Sequence, residues 1–218
     1  MNSTLFATQR GRLQRLLLAN GITLLLGQNP TVEILAAHCF FRGGSRAERP
    51  QQAGVGHLMA AVLTKGTHRH NSQAIATWVE SLGASLAVDS SADCFEVSLR
   101  CVAADFPELL GLLAELLRDP SFPEAEVARE RDLMLQAIRA QQERPFSLAF
   151  DQVRQALYGD HPYALPGLGR LETVGSLTRE DLVAYHAAHC RPDGMAMVVI
   201  GPEPPEQMAA QVLSLIHI

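Results

Sequence analysis

Apolar and polar positions divide the start of the chain into short extended segments. Two mainly apolar runs, Leu13–Leu18 and residues 22–26, flank an Asn-Gly pair at 20–21. Both residues of that pair tolerate positive φ, so the pattern predicts a β-hairpin. A longer apolar run over 32–42 predicts a third strand, because a proline separates it from the hairpin.

Helical periodicity begins at the stretch 54–66, which reads GVGHLMAAVLTKG. Its apolar residues fall at i, i+3 and i+4 and form one stripe, as in an amphipathic helix that opens after a glycine-rich turn. Strands and further helices follow before one last strand. The pattern predicts helices over 72–82, 106–117, 123–144, 146–158 and 179–189, and strands over 84–88, 93–102 and 195–200.

The order of these elements predicts the fold class. Strands come first, helices follow, and one strand returns at the end. This order predicts an α+β fold in which helices pack on one face of a largely antiparallel, mixed sheet. We expect an N-terminal tail over 1–12, one domain over 13–202, and a linker or a truncated, non-native end over 203–218.

Composition and charge limit the classes of function. Of 218 residues, 47% are hydrophobic, which is enough for a sizeable core, and the net charge of −5 does not favour binding to nucleic acid or to anionic membranes. No run of about 18 apolar residues predicts a membrane span, and the N-terminus does not resemble a secretory signal. We therefore expect a cytoplasmic protein with no nucleic-acid partner and no membrane span.

Cysteine and histidine side chains offer few patterns typical of metal ligands. None of the four cysteines forms a CxxC pair, and Cys94 and Cys101 lie on opposite faces of one predicted strand, so reduced thiols are expected. His68 and His70 lie in a polar loop, for which solvation is the simpler explanation. Residues 186–190 contain two histidines and a cysteine at the end of one predicted helix, where packing is the simpler explanation.

Four blocks of the sequence resemble one family of proteins. They are GGSRAERPQQAGVGHLMAAVLTKGT at 43–67, ERDLMLQAI at 130–138, GDHPYALPGLG at 159–169 and SLTREDLVAYHAAHCRPDGM at 176–195. The chain is similar, over residues 13–205, to the pitrilysin/insulinase metallopeptidases, which include the mitochondrial processing peptidase and the core proteins of respiratory complex III. The resemblance implies the fold of the peptidase domain of that family.

The catalytic motif of that family is H-x-x-E-H on a helix. Its two histidines bind zinc, its glutamate activates water, and a later helix supplies a third ligand. On this resemblance His57 is the first histidine, Ala60 stands at the base position, and Ala61 at the second histidine position. Ala137 stands at the position of the later ligand, whereas a supporting acidic residue is retained as Glu130.

A single imidazole does not make a catalytic zinc site, because three protein ligands are the usual minimum. Structural zinc in finger peptides binds with roughly 10–16 kcal/mol over about four ligands, or about 3–4 kcal/mol each. The loss of two ligands of three therefore removes most of the affinity. We predict no catalytic residue, no metal and no cofactor in this chain, with zinc held only by an active partner. His57 is then a packed or hydrogen-bonded histidine, and Glu130 forms a surface or interhelical charge pair with Arg131.

The resemblance also implies a peptide-binding surface. Peptide substrates of the family add as an extra strand beside an edge strand that follows the second helix. The matching strand here consists of Ala84, Ser85, Leu86, Ala87 and Val88. Backbone pairing does not require particular side chains, so this strand is a candidate peptide-binding edge. The alternative is an ordinary protected edge strand.

The resemblance implies a non-catalytic subunit, or pseudopeptidase, of a bacterial zinc processing peptidase. Such a chain binds peptide or unfolded polypeptide and completes the chamber of an active family member in a hetero-oligomer, for example a heterodimer. One alternative is a structural or assembly protein like the respiratory core proteins. The other is a zinc metalloendopeptidase with a relocated metal site, which needs at least three convergent ligands.

Overall fold

The structure of the chain, a computed structural model, describes residues 4–10 and 13–215. The hairpin predicted at the Asn-Gly pair is present, with Gly21 at a φ of 93°, a conformation that glycine adopts without strain. The described strands belong to one sheet. They are β1 (Thr4–Arg10), β2 (Leu13–Leu18), β3 (Thr23–Gln28), β4 (Ile34–Arg42), β5 (Ser85–Ser90), β6 (Cys94–Val102) and β7 (Met195–Gly201).

The described strands lie in the order β1-β2-β3-β7-β4-β6-β5. β3 and β7 are parallel, and every other neighbouring pair is antiparallel. The returning strand β7 therefore lies inside the sheet, between β3 and β4. This arrangement confirms the prediction of a largely antiparallel, mixed sheet, and it leaves β5 at one edge.

Two helices lie between β4 and β5, five fill the long connection from β6 to β7, and one follows β7 in the described part of the chain. No helix of the described residues is both long enough and apolar enough to cross a membrane. The helices are α1 (Val55–Leu63), α2 (Ser72–Ser81), α3 (Phe106–Arg118), α4 (Glu124–Gln142), α5 (Pro145–Tyr158), α6 (Leu171–Ser176), α7 (Arg179–His189) and α8 (Pro205–Leu215).

The helices bury one face of the sheet. On β4, Leu35, Ala37, Cys39 and Phe41 are at most 1% exposed, and the residues between them are not buried. β6 and β7 alternate in the same way. Because apolar burial contributes about 25 cal/mol per Å², this face and the apolar stripes of the helices form the core. The prediction that helices pack on one face is confirmed.

The predicted N-terminal tail needs correction, and the predicted linker region is largely helical. Residues 4–10, predicted as part of a tail, form β1 and pair with β2 along its length. Residues 205–215, assigned to a linker or a truncated end, form α8, whose Met208, Ala209 and Val212 are buried near β3 and α3. The apolar residues of α8 recur at helical spacing and form one stripe along the helix. This stripe leaves water only when the helix lies against the core, so α8 packs there. Residues 216–218 lie outside the described part.

Candidate functional site

The entry to α1 is fixed by a buried carboxylate. The two oxygens of Glu48 accept hydrogen bonds from the backbone N–H groups of Gly54 (2.7 Å) and Gly56 (2.8 Å). These amides belong to the first turn of α1, where N–H groups lack partners within the helix. Burial raises the pKa of Glu48, and the two hydrogen bonds oppose that rise. A negative charge at this helix terminus is stabilising.

Close packing around this turn requires glycine. A Cβ added to Gly56 would lie 2.8 Å from the hydroxyl of Tyr185 and 2.9 Å from Oε1 of Glu48. Gly54 has a φ of 99°, a left-handed conformation in which other residues are strained. The Tyr185 hydroxyl donates to the carbonyl of Gly44 at 3.2 Å. The contacts of Glu48 and Tyr185 thus hold α1, α7 and the preceding loop together.

The motif positions lie on two neighbouring helices. His57, Ala60 and Ala61 are on α1, and Ala137 is on α4, which contacts α1. Residues four apart share one helix face, so His57 and Ala61 are adjacent. Ala60 is 4% exposed, Ala61 is half-buried and Ala137 is exposed. The methyl groups of the three alanines offer no donor atom to a cation.

His57 lies on α1, is half-buried and has Asp89 of β5 nearby. Burial lowers the pKa of His57, and the nearby carboxylate of Asp89 opposes that change. The neutral imidazole is therefore favoured at pH 7. A neutral imidazole can bind a metal, but it needs further ligands to hold one.

The retained acidic residue is engaged in an ion pair. The carboxylate of Glu130 on α4 lies 3.2 Å from Nζ of Lys65, which follows the end of α1. The side chain of Glu130 is 13% exposed and that of Lys65 is 31% exposed, so the pair is screened from solvent only in part. The ion pair joins the residue after α1 to α4. Its cation is Lys65 and not Arg131, the partner expected from the sequence, because the guanidinium of Arg131 donates to the carbonyl oxygen of Leu177 at 2.7 Å.

The donor set does not fit a zinc ion. Across the described part of the chain, no group of three or more His, Cys, Asp or Glu side chains converges as metal ligands do. The remaining candidates are also separate. Nε2 of His68 lies 3.4 Å from Oδ1 of Asp119. Nε2 of His186 lies 3.0 Å from the carbonyl oxygen of Leu117. These contacts agree with the solvated and packed interpretations of the two histidines.

A cavity of about 340 Å³ opens beside His57. α5 supplies much of its wall, including Phe146, which is 81% exposed, and Phe150, which is 56% exposed. α5 has no buried residue, although its apolar side chains recur at helical spacing. From the sequence we predict only a helix over 146–158, with no functional role. The spacing of Phe146 and Phe150, four residues apart, is the signal in the sequence that identifies its exposed apolar face.

The candidate peptide-binding strand lies at the edge of the sheet. β5 spans Ser85–Ser90, and β6 pairs with one side of it. No strand of the described residues pairs with its other side. Ala84 lies just before the strand and donates its N–H to the carbonyl of Val79. α1 packs close to β5, so a peptide added at this edge would pass the helix that carries His57.

The fold and the sequence blocks together define the class of protein: an α+β domain of the metallopeptidase type. The chain belongs to the insulinase family, peptidase family M16, whose sequence model matches residues 23–170. It is 28% identical to a solved structure from Pseudomonas fluorescens described as a peptidase M16 inactive domain. That match has a TM-score of 0.89 and covers 93% of this chain and 50% of the other.

Two curated relatives are similar over most of this chain. An uncharacterized zinc protease of Rickettsia felis is 26% identical over 84% of this chain and 45% of its own length. The mitochondrial-processing peptidase subunit beta of Neurospora crassa is 26% identical over 88% of this chain and 40% of its own length. The chain therefore spans less than half the length of these relatives.

Proposed function

We propose that this chain is a non-catalytic subunit, or a non-catalytic domain of one, in a zinc-dependent processing peptidase of bacterial type. It binds a peptide along β5 and completes the substrate chamber of a partner that carries the intact H-x-x-E-H motif. Zinc belongs to that partner, and this chain holds no metal. The proposal rests above all on the three alanines at Ala60, Ala61 and Ala137 in an otherwise ordered site.

Three features support this proposal. Glu48 still caps α1, and Glu130 still joins α1 to α4 through Lys65. These contacts fix the start of α1 and join its end to α4, so the helix that carries His57 keeps a defined place beside β5. β5 also keeps an open edge beside the same helix, and such an edge can pair with an extended peptide.

Peptide hydrolysis with and without a partner tests the proposal. The chain alone should not cleave fluorogenic peptides, with or without added zinc. When it is combined with a family member that carries the intact motif, the peptidase activity of that member should rise, and the two should co-elute in gel filtration. Zinc-dependent, chelator-sensitive cleavage by the isolated chain would refute the proposal. A chain that neither co-elutes with the active member nor changes its activity would refute the role as a partner.

A further inference from the structure

A groove lies between α2 and the start of β5, separate from the cavity beside His57. It encloses about 440 Å³ and is lined by the end of α1, by α2 and by the first residues of β5. Ile75 and Val79 of α2 are 3% and 7% exposed, and Leu86 of β5 is half-buried. These three side chains give the groove an apolar floor. Ala76 lines the same groove and is exposed.

The groove borders the open edge of the sheet. Ser85 and Leu86 line the groove and also belong to β5, whose outer edge pairs with no other strand of the described residues. Leu86 packs against the core, so it points to the helix-covered face. Side chains of an extended peptide alternate between the two faces of a sheet. A peptide paired with β5 would therefore direct every second side chain toward the helices, and one of these would enter the groove.

Charges around the groove disfavour acidic peptides. The lining also includes polar side chains, among them Thr64, Gln73 and Ser85. Lys65 at the rim pairs with Glu130, and the hydroxyl of Ser72 donates to Glu126 at 2.8 Å, so these two groups are already engaged. Glu80 at the rim and Asp89 on β5 are exposed carboxylates near the path of a bound peptide. These carboxylates would repel the negatively charged side chains of an acidic peptide.

We infer that the groove between α2 and β5 is a side-chain subsite that accepts one aliphatic side chain of an extended, non-acidic peptide bound along β5. This inference rests on the proposed function and narrows its substrate class. A groove of this size has room for a leucine side chain, and burying that side chain is the source of selectivity. The rim supplies no free cation in the described structure that would favour an acidic side chain instead.

A matched pair of variants tests the subsite in the 218-residue chain. Ala76→Trp fills the groove, whereas Ala74→Trp places the same side chain on the exposed α2 surface outside the groove. The probes are three series of fluorescein-labelled peptides built from Thr, Ser and Gln, each long enough to pair with the six residues of β5. They carry leucine, serine or aspartate at successive test positions, and their affinity is measured by fluorescence anisotropy.

The leucine peptide should bind about tenfold more tightly than the serine peptide at one register, and the aspartate peptide should bind most weakly. Ala76→Trp should remove the advantage of leucine and leave the affinity of the serine peptide within about twofold, whereas Ala74→Trp should change neither. Equal binding of leucine and serine peptides at every register, or an equal loss of both in Ala76→Trp, would overturn the subsite while peptide binding stands. Absence of binding by every peptide would overturn the subsite and the peptide-binding role together. Circular dichroism melts of Ala76→Trp and Ala74→Trp check that both variants fold as the unaltered chain does.

Discussion

Rebuilding the ligand set of the family motif is the most direct test of the proposal that Ala61 and Ala137 stand at ligand positions. Ala61→His and Ala137→Glu would place a second imidazole and a carboxylate beside His57, on helices that already contact each other. Ala61 is half-buried and Ala137 is exposed, so neither substitution has to displace a core side chain. At about 3–4 kcal/mol per ligand, the double variant gains about 6–8 kcal/mol of zinc affinity. Its dissociation constant should fall by about 10⁴- to 10⁶-fold relative to the unaltered chain.

Competition with a chromophoric chelator measures this difference, and elemental analysis gives the zinc content per chain. A control variant combines Ala61→His with Gln136→Glu, which adds the same charge at an exposed position one residue from Ala137. The control should bind zinc far more weakly than the double variant, because successive helix positions face different directions. Tight zinc binding by the unaltered chain would refute the reasoning. Equal affinity of control and double variant would show that α1 and α4 do not present the expected site.

Three further predictions concern stability. Glu48→Ala should lower the free energy of unfolding by about 3 kcal/mol or more in urea, because two charge-assisted hydrogen bonds are lost, whereas exposed Glu33→Ala should change it by less than about 0.5 kcal/mol. Because burial lowers the pKa of His57, folding favours the neutral imidazole, and stability is lost as the pH falls through the folded-state pKa. The variant His57→Asn lacks this titrating group, so it should lose less folding stability between pH 7 and pH 5. A steeper loss in the variant would contradict this. Removing residues 213–218 should lower the melting temperature by only about 3 °C, because Leu213, which packs against the core, is only partly buried. A fall of more than about 10 °C would contradict this.

Local patterns in the sequence predict much of the fold. The Asn-Gly pair, the apolar stripe of α1 and the alternating residues of β6 each report directly on hydrogen bonding or burial, and each element is present. The parallel pairing of β3 with β7 is different, because it joins segments far apart in the chain. No local pattern encodes which strand lies beside β7. β1 is missed for a related reason, because its place in the sheet comes from backbone pairing with β2.

The candidate site divides in the same way. The identities at His57, Ala60 and Ala61 follow from a motif, so the sequence alone raises the question of a vacant site. Glu48 is missed because a glutamate in a polar loop predicts exposure, whereas its burial depends on two amides of α1 that only the folded chain brings close. The groove beside Ala76 is also invisible in the sequence, because three separate elements form its walls.

The burial of Ala60 limits the mutational routes by which a chain like this one could regain catalysis. A glutamate at Ala60, which is 4% exposed, would be introduced into a desolvated position before any cation was present to balance it. That first substitution would reduce stability and yield no turnover. A histidine at Ala61 or a glutamate at Ala137 would each bring no gain in activity until all three substitutions were present in the same chain. If these alanines stand at the positions of the base and two ligands, every intermediate on the route back to an active peptidase would be inactive, and some would be less stable than the present chain. Random substitution alone would therefore tend to preserve the inactive form.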